Sequence, residues 1–196
     1  LRTKSTGRPQ RLRAVRAAVY HHEATTCPSI PDTYATFLNL LKGVRHGSQA
    51  RVFPDSFDDL FWTRCCQKRV GDRAGQVATA EELATVVGFY DFKQRQPFEE
   101  LGEERVTQVW NVLRRLLRSV GRFSEVAAHA ERNLEWAKGR NNFKGVAVCL
   151  VELTEMALIH GQAKLAAELV NKLLAVPGLN SWPVLFFDAI RLSGRV

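Results

Sequence analysis

The sequence has no glycine-rich phosphate loop, no G-x-S-x-G, no H-E-x-x-H and no Cys/His pair at a recognisable spacing. The common signatures of phosphate binding, serine hydrolysis and zinc proteolysis are therefore missing, and no enzyme, cofactor or small-molecule substrate is expected. Four cysteines, Cys27, Cys65, Cys66 and Cys149, show no C-x-x-C spacing. Adjacent Cys65 and Cys66 inside a helix cannot easily bridge each other, so all four read as reduced core thiols of a non-oxidising compartment. His21, His22 and Glu23 diverge by about 100° per residue on a helix and have no second ligand cluster, so they read as solvent-facing and no metal is expected. Glu99, Glu100, Glu103 and Glu104 fall in the first turns of a helix, where carboxylates favour the positive end of the dipole. No apolar run approaches the roughly 20 residues a membrane span needs. Apart from a half-strand at Gln76-Val77-Ala78, nothing alternates with a period of two, and the chain reads as all-α.

What is present is a helix–turn–helix pattern that occurs twice between Thr107 and Ala175. Val109, Trp110, Leu113, Leu116, Leu117 and Val120 recur at three- and four-residue steps up to Gly121, which makes one side of a helix apolar. A second helix follows, with Ser124 as its expected N-cap, Val126, Ala127, Ala130, Leu134 and Ala137 as its stripe, and Gly139 just past its end. The plan repeats in Leu150, Leu153, Met156, Ala157 and Ile159 up to Gly161, then in Leu165, Ala166, Leu169, Val170, Leu173 and Leu174 before Pro177-Gly178. The turn glycines Gly121 and Gly161 set a forty-residue period. A third unit starts at Trp182 and ends, half complete, at Gly194.

These residues resemble the tetratricopeptide and pentatricopeptide repeat families, stacks of helical hairpins about 34 to 35 residues long. Trp110-Asn111-Val112-Leu113 with Gly121-Arg122-Phe123-Ser124-Glu125-Val126-Ala127 is similar to the pentatricopeptide pattern of an aromatic, a small polar residue and a leucine, then Gly-Arg and an acidic-apolar second helix. The likeness covers about one repeat well and a second more loosely; pentatricopeptide, tetratricopeptide and unclassified helical repeat all stay open. It implies a solenoid-like stack of antiparallel hairpins over residues 31–196, preceded by a basic arm and first helix over 1–30.

Upstream the pattern is looser. Residues 1 to 8 are expected to be an extended tail, with helix from Pro9 until Cys27-Pro28 breaks it. Asp32 or Thr33 caps a helix carrying Tyr34, Phe37, Leu38, Leu41 and Val44, and Ser56 with Asp59 reads as a capping box for the next. Gly71 to Ala78 is read as loop and Thr79-Ala80-Glu81-Glu82 as a helix start. Lys93 to Pro97 interrupts, with Pro97 suited to the first turn of the following helix. Gly102 leaves open whether Phe98 to Val120 is one helix or two. Eight or nine helices are expected.

The net charge of +8 is unevenly placed, with thirteen Lys or Arg against six Asp or Glu in residues 1 to 80. The first twenty residues contain Arg2, Lys4, Arg8, Arg11, Arg13 and Arg16 and no acid, a field that seeks polyanions. Such an arm neutralises RNA phosphates without reading bases. Its Arg-rich, acid-poor composition is similar to the surroundings of a mitochondrial transit peptide, so a matrix location is the expectation; an arbitrary boundary is the alternative. A second cationic stripe, Gln108, Asn111, Arg115, Arg118 and Arg122, lies opposite the leucines. By the pentatricopeptide resemblance Asn111 would face a base and Arg115, Arg118 and Arg122 phosphates; a solvated helix face is the other reading. The matching face of the next repeat carries Val148, Val151, Glu155 and Leu158, which cannot read bases and suits protein contact, as do Trp182, Phe186 and Phe187 near the C-terminus. The sequence thus points to a non-enzymatic structural or assembly subunit of a large organellar ribonucleoprotein, most specifically a mitochondrial ribosome, with ribosomal RNA and neighbouring proteins as partners. A protein-interaction module without RNA contact, such as an adaptor or an accessory subunit of a respiratory complex, is the alternative.

Overall fold

The computed structural model describes residues 7–26, 34–58, 61–62 and 75–196, and helix dominates them. Nine α-helices occur among the described residues: α1 (Gly7–Thr26), α2 (Tyr34–Ala50), α3 (Phe53–Asp55), α4 (Gly75–Val86), α5 (Glu103–Ser119), α6 (Phe123–Lys138), α7 (Phe143–Ile159), α8 (Ala163–Leu174) and α9 (Pro183–Ser193). They fall into two compact units, Leu1–Val109 and Trp110–Val196, and the division lies within α5. The expected all-α class is therefore observed. Cys27, Cys65, Cys66, Asp32, Thr33 and Asp59 lie outside the described residues.

In the first unit α1 packs against α2, and α2 against α4. The core is aromatic, because Phe53, Phe57, Phe61 and Phe89 are all buried. Phe57 meets Phe89 edge-on at 5.2 Å, and Phe53 stacks on Phe98 at 5.1 Å, geometries that suit the ring quadrupole. Across the helices Arg45 donates from Nε to the Thr85 hydroxyl at 3.0 Å and from Nη2 to the Glu81 carbonyl and carboxylate.

Three local expectations are corrected here and one open question is resolved. Ser56 does not cap a helix: it is buried and donates its hydroxyl back to the Val52 carbonyl, since α3 already begins at Phe53. Gln76–Ala78 is helical, because α4 starts at Gly75, four residues before Thr79; its alanines favour helix over strand. Pro97 belongs to a strand. Tyr90–Asp91 (β1) and Gln96–Pro97 (β2) form a two-residue antiparallel ladder, with Tyr90 opposite Pro97. The Asp91 carboxylate accepts from the Lys93 N–H at 2.8 Å and Arg95 turns the chain at φ 58°. Proline is tolerated at this edge because the N–H that reaches Phe89 O, at 3.0 Å, comes from Phe98. Finally, Gly102 at φ 81° separates a 3₁₀ turn, Glu99–Leu101, from α5, so Phe98 to Val120 is not one helix.

In the second unit α6 packs against α7, α7 against α8, and α9 against both α7 and α8. The predicted stripes supply the interior: Ala130, Leu134, Leu150, Leu153, Ala157, Ala166, Leu169, Val170 and Leu173 are buried together, and Ala189 and Leu192 join them from α9. Val120, Ile159, Leu165 and Leu174, at the ends of those stripes, are instead exposed.

One turn recurs three times. Gly121, Asn141 and Gly161 take left-handed φ values of 75°, 54° and 70°, so the forty-residue period divides into two steps of twenty residues. After each, the next N–H closes back on the helix: Arg122 to Leu117 O at 2.9 Å, Asn142 to Ala137 O at 3.0 Å, and Gln162 to Ala157 O at 2.8 Å. This six-to-one closure satisfies a carbonyl that the helix end would otherwise leave unpaired. The middle turn uses Asn141, a residue that tolerates left-handed backbone, rather than Gly139, whose φ is −61°. Because the turn sets where the next helix begins, α6 starts at Phe123 with Arg122 in the cap position. Ser124 is not its N-cap.

Candidate functional site

The predicted cationic stripe on α5 is brought together, but most of it is engaged within the chain. Arg118 donates to Glu155 at 2.6 Å and lies 3.4 Å from Glu152, both on α7. Glu155 also accepts from Arg191 of α9 at 2.6 Å, and Arg191 in turn lies 3.1 Å from Asp188. An ionic ladder therefore links α5, α7 and α9. The two arginines hold the Glu155 carboxyl below its ordinary value despite the opposing effect of burial, which acts most strongly on it. Arg122 is forked onto Glu125, one turn along, at 2.6 Å. Asn111 is exposed and its side-chain oxygen accepts from Arg114 at 2.7 Å. Arg115 is exposed, and Gln108 donates to Glu104 at 3.4 Å.

Arg114 is a functional-looking residue that the sequence reading missed. It is buried, 2% exposed, and its Nε and Nη1 have no hydrogen-bond partner among the described residues. It sits four residues after Trp110 and three before Leu117, so its position on the apolar face was available in the spacing. Burial pushes the Glu152 carboxyl up while Arg114 and Arg118 pull it down. The buried Cys149 thiol is pushed up to about 11 by burial, which leaves it protonated and unreactive. Beside this cluster the His129 ring meets Trp110 at 5.5 Å, and burial, reinforced by Arg132, holds its pKa down at about 4.

The predicted basic arm is partly described. Arg2 and Lys4 lie outside the described residues, as does the side chain of Arg8; Arg11 and Arg13 are exposed on α1 and Arg16 is half-buried. Helix begins at Gly7, and Tyr20 anchors α1 with 3% exposure. His21 and His22 stand exposed near its end, and no group of metal-ligating residues occurs among the described residues. No helix among them is long and apolar enough to cross a membrane.

The predicted protein-contact residues divide in two. Val148, Val151 and Leu158 on α7 are half-buried, and the last two pack against the interior, as does Trp182. Phe186 and Phe187 remain open, and Val184 and Ile190, which the sequence did not single out as contact residues, join them. Val184 is 75% exposed, Phe187 67%, Ile190 49% and Phe186 36%. Steps of three and four place these four on one continuous ridge of α9, while Leu185, Ala189 and Leu192 face inward. Scattered apolar residues are ordinary on a surface, but four adjacent ones on one short helix form a contiguous patch.

The fold is all-α, and a recurring turn joins successive helices from α5 to α8. Comparison with protein-family models, with curated proteins and with solved structures finds no match to this chain.

Proposed function

We propose that the protein is a non-enzymatic structural or assembly subunit, a short helical-repeat stack that docks a neighbouring protein through the outer ridge of α9. The exposed ridge of Val184, Phe186, Phe187 and Ile190 carries this reading. In a stack of helical hairpins each unit leaves an apolar face for a neighbour to cover, and the exposed ridge of α9 is such a face. The repeated turn and the α5–α7–α9 ladder support a solenoid-like order. The forty-residue step between Gly121 and Gly161 is longer than the pentatricopeptide length, and Arg118 and Arg122 are already matched by carboxylates. Both facts favour protein contact over base reading on this unit.

A second reading places the subunit in an organellar ribonucleoprotein such as the mitochondrial ribosome. It is favoured by one observation: Arg11 and Arg13 stand exposed on a helix whose first acid is Glu23, an arrangement suited to phosphates. The test is recovery of the tagged full chain from its native source, with and without ribonuclease. Val184→Glu/Phe187→Glu is expected to remove the co-purifying protein while helix content stays unchanged, and Arg11→Glu/Arg13→Glu to remove only the ribonuclease-sensitive fraction. Retention of every partner by the α9 double variant contradicts the docking role.

A further inference from the structure

A slot of about 360 Å³ opens in the second unit where the C-terminal ends of α6 and α8 meet the N-terminal turns of α7. Its floor is apolar: Leu134, Leu150, Leu169 and Val176 are each under 10% exposed. Phe143, 44% exposed, forms part of the wall. The rim is cationic. Lys138 and Lys172 stand at the mouth. Lys172 has no carboxylate partner among the described residues, and Lys138, paired with the exposed Glu135 at 2.8 Å, keeps further N–H groups to donate to a second carboxylate. The helix-end carbonyls nearby are closed by turn N–H groups, from Asn142 onto Ala137 and from Ala175 onto Asn171, which limits their repulsion of an anion.

We propose that this slot docks an acidic peptide segment of a partner protein, whose bulky apolar side chains fill the floor while flanking carboxylates meet Lys138 and Lys172. Two properties choose that occupant. Charge complementarity requires an anion beside an apolar group. The slot is open along one side, whereas a free small molecule needs most of its surface enclosed; a side chain carried on a larger partner does not, because its own protein covers the rest. The volume holds one or two large side chains. The site is separate from the α9 ridge, so each can fail without the other.

Binding of a fluorescein-labelled peptide, a Trp-Leu pair between runs of glutamate, to the full chain tests the proposal by anisotropy. Saturable binding is expected, and Lys172→Glu should weaken it roughly tenfold or more, since it sets like charges together on an exposed residue that the fold does not use. Val146→Trp, which fills the slot from its wall, should act in the same direction, and Phe187→Glu should have no effect. A peptide with Ala-Ala for Trp-Leu, and one with lysine for glutamate, should both bind roughly tenfold more weakly or worse. Equal binding by Lys172→Glu, or by the Ala-Ala peptide, overturns the proposal and leaves only the attraction of a basic protein for acid. Decanoate binding more tightly than the peptide, and lost in Lys172→Glu, also overturns it and assigns the slot to a small amphiphilic anion.

Discussion

Trp110→Ala is expected to lower the stability of the Trp110–Val196 unit by about 3–5 kcal/mol, the usual cost of deleting a buried aromatic ring and leaving part of its volume empty. Trp110 is 1% exposed and is among the largest side chains buried in the chain. Its ring also meets His129 edge-on at 5.5 Å, a contact that adds to area burial. Since a domain of this size is stabilised by only about 5–15 kcal/mol, the variant should sit near the edge of folding. Urea denaturation followed by tryptophan fluorescence in a Trp62→Phe background, where Trp136 and Trp182 report on the same unit, measures the effect. An unfolding free energy within about 1 kcal/mol of the wild type, by the usual linear extrapolation, would show that the ring is not a core residue.

The second large effect is a dependence on pH set by His129. Its folded pKa, about 4, lies below the ordinary 6.5. Above pH 6.5 the ring is neutral in both states and contributes no pH dependence. As pH falls from 6.5 toward 4, the unfolded chain takes up a proton that the folded chain refuses, so stability falls through that window and the penalty is complete below it. Allowing for the ring's partial exposure, the loss is about 1–2 kcal/mol. Glu155 acts lower down: with its carboxyl held below the ordinary value, its stabilising contribution is present above the unfolded carboxylate range and is lost as pH falls through the folded value. Glu152 has the opposite sign, since its raised carboxyl opposes folding as pH rises through the carboxylate range. The difference between wild type and His129→Gln, measured as unfolding free energy from pH 7 to pH 4, isolates the histidine. The two curves should converge or cross as pH falls, with the wild type losing more; parallel curves would refute the assignment.

Much of the second unit was legible in the sequence because buried helices must repeat their apolar residues every three to four positions. Trp110, Leu113, Leu116 and Leu117 and their counterparts in α6 to α8 announce their burial in this way. Gly121 and Gly161 were readable as turns since glycine adopts left-handed backbone at no steric cost. Asn141 was not, because Gly139 stands two residues earlier and competes for the same role. Arg114 was missed for a different reason: an arginine on an apolar face reads as polar wherever it falls. The Arg118–Glu155–Arg191 ladder joins residues 36 and 37 positions apart, and no local rule distinguishes such partners from a solvated charged stripe. In the first unit the β1–β2 hairpin was hidden because strands of two residues cannot show alternation. As for the candidate surfaces, Phe186 and Phe187 were named from composition, but the inclusion of Val184 and Ile190 required knowing which face of α9 the interior takes.

Hydrogen exchange on the isolated chain and on the same chain within the assembly recovered from its source measures directly whether α9 is a docking element. Amides of residues 184–190 should exchange more slowly in the assembly, and those of α1 around Arg11 and Arg13 should do so only where RNA is retained. Unchanged exchange throughout α9 would contradict a role built on that ridge.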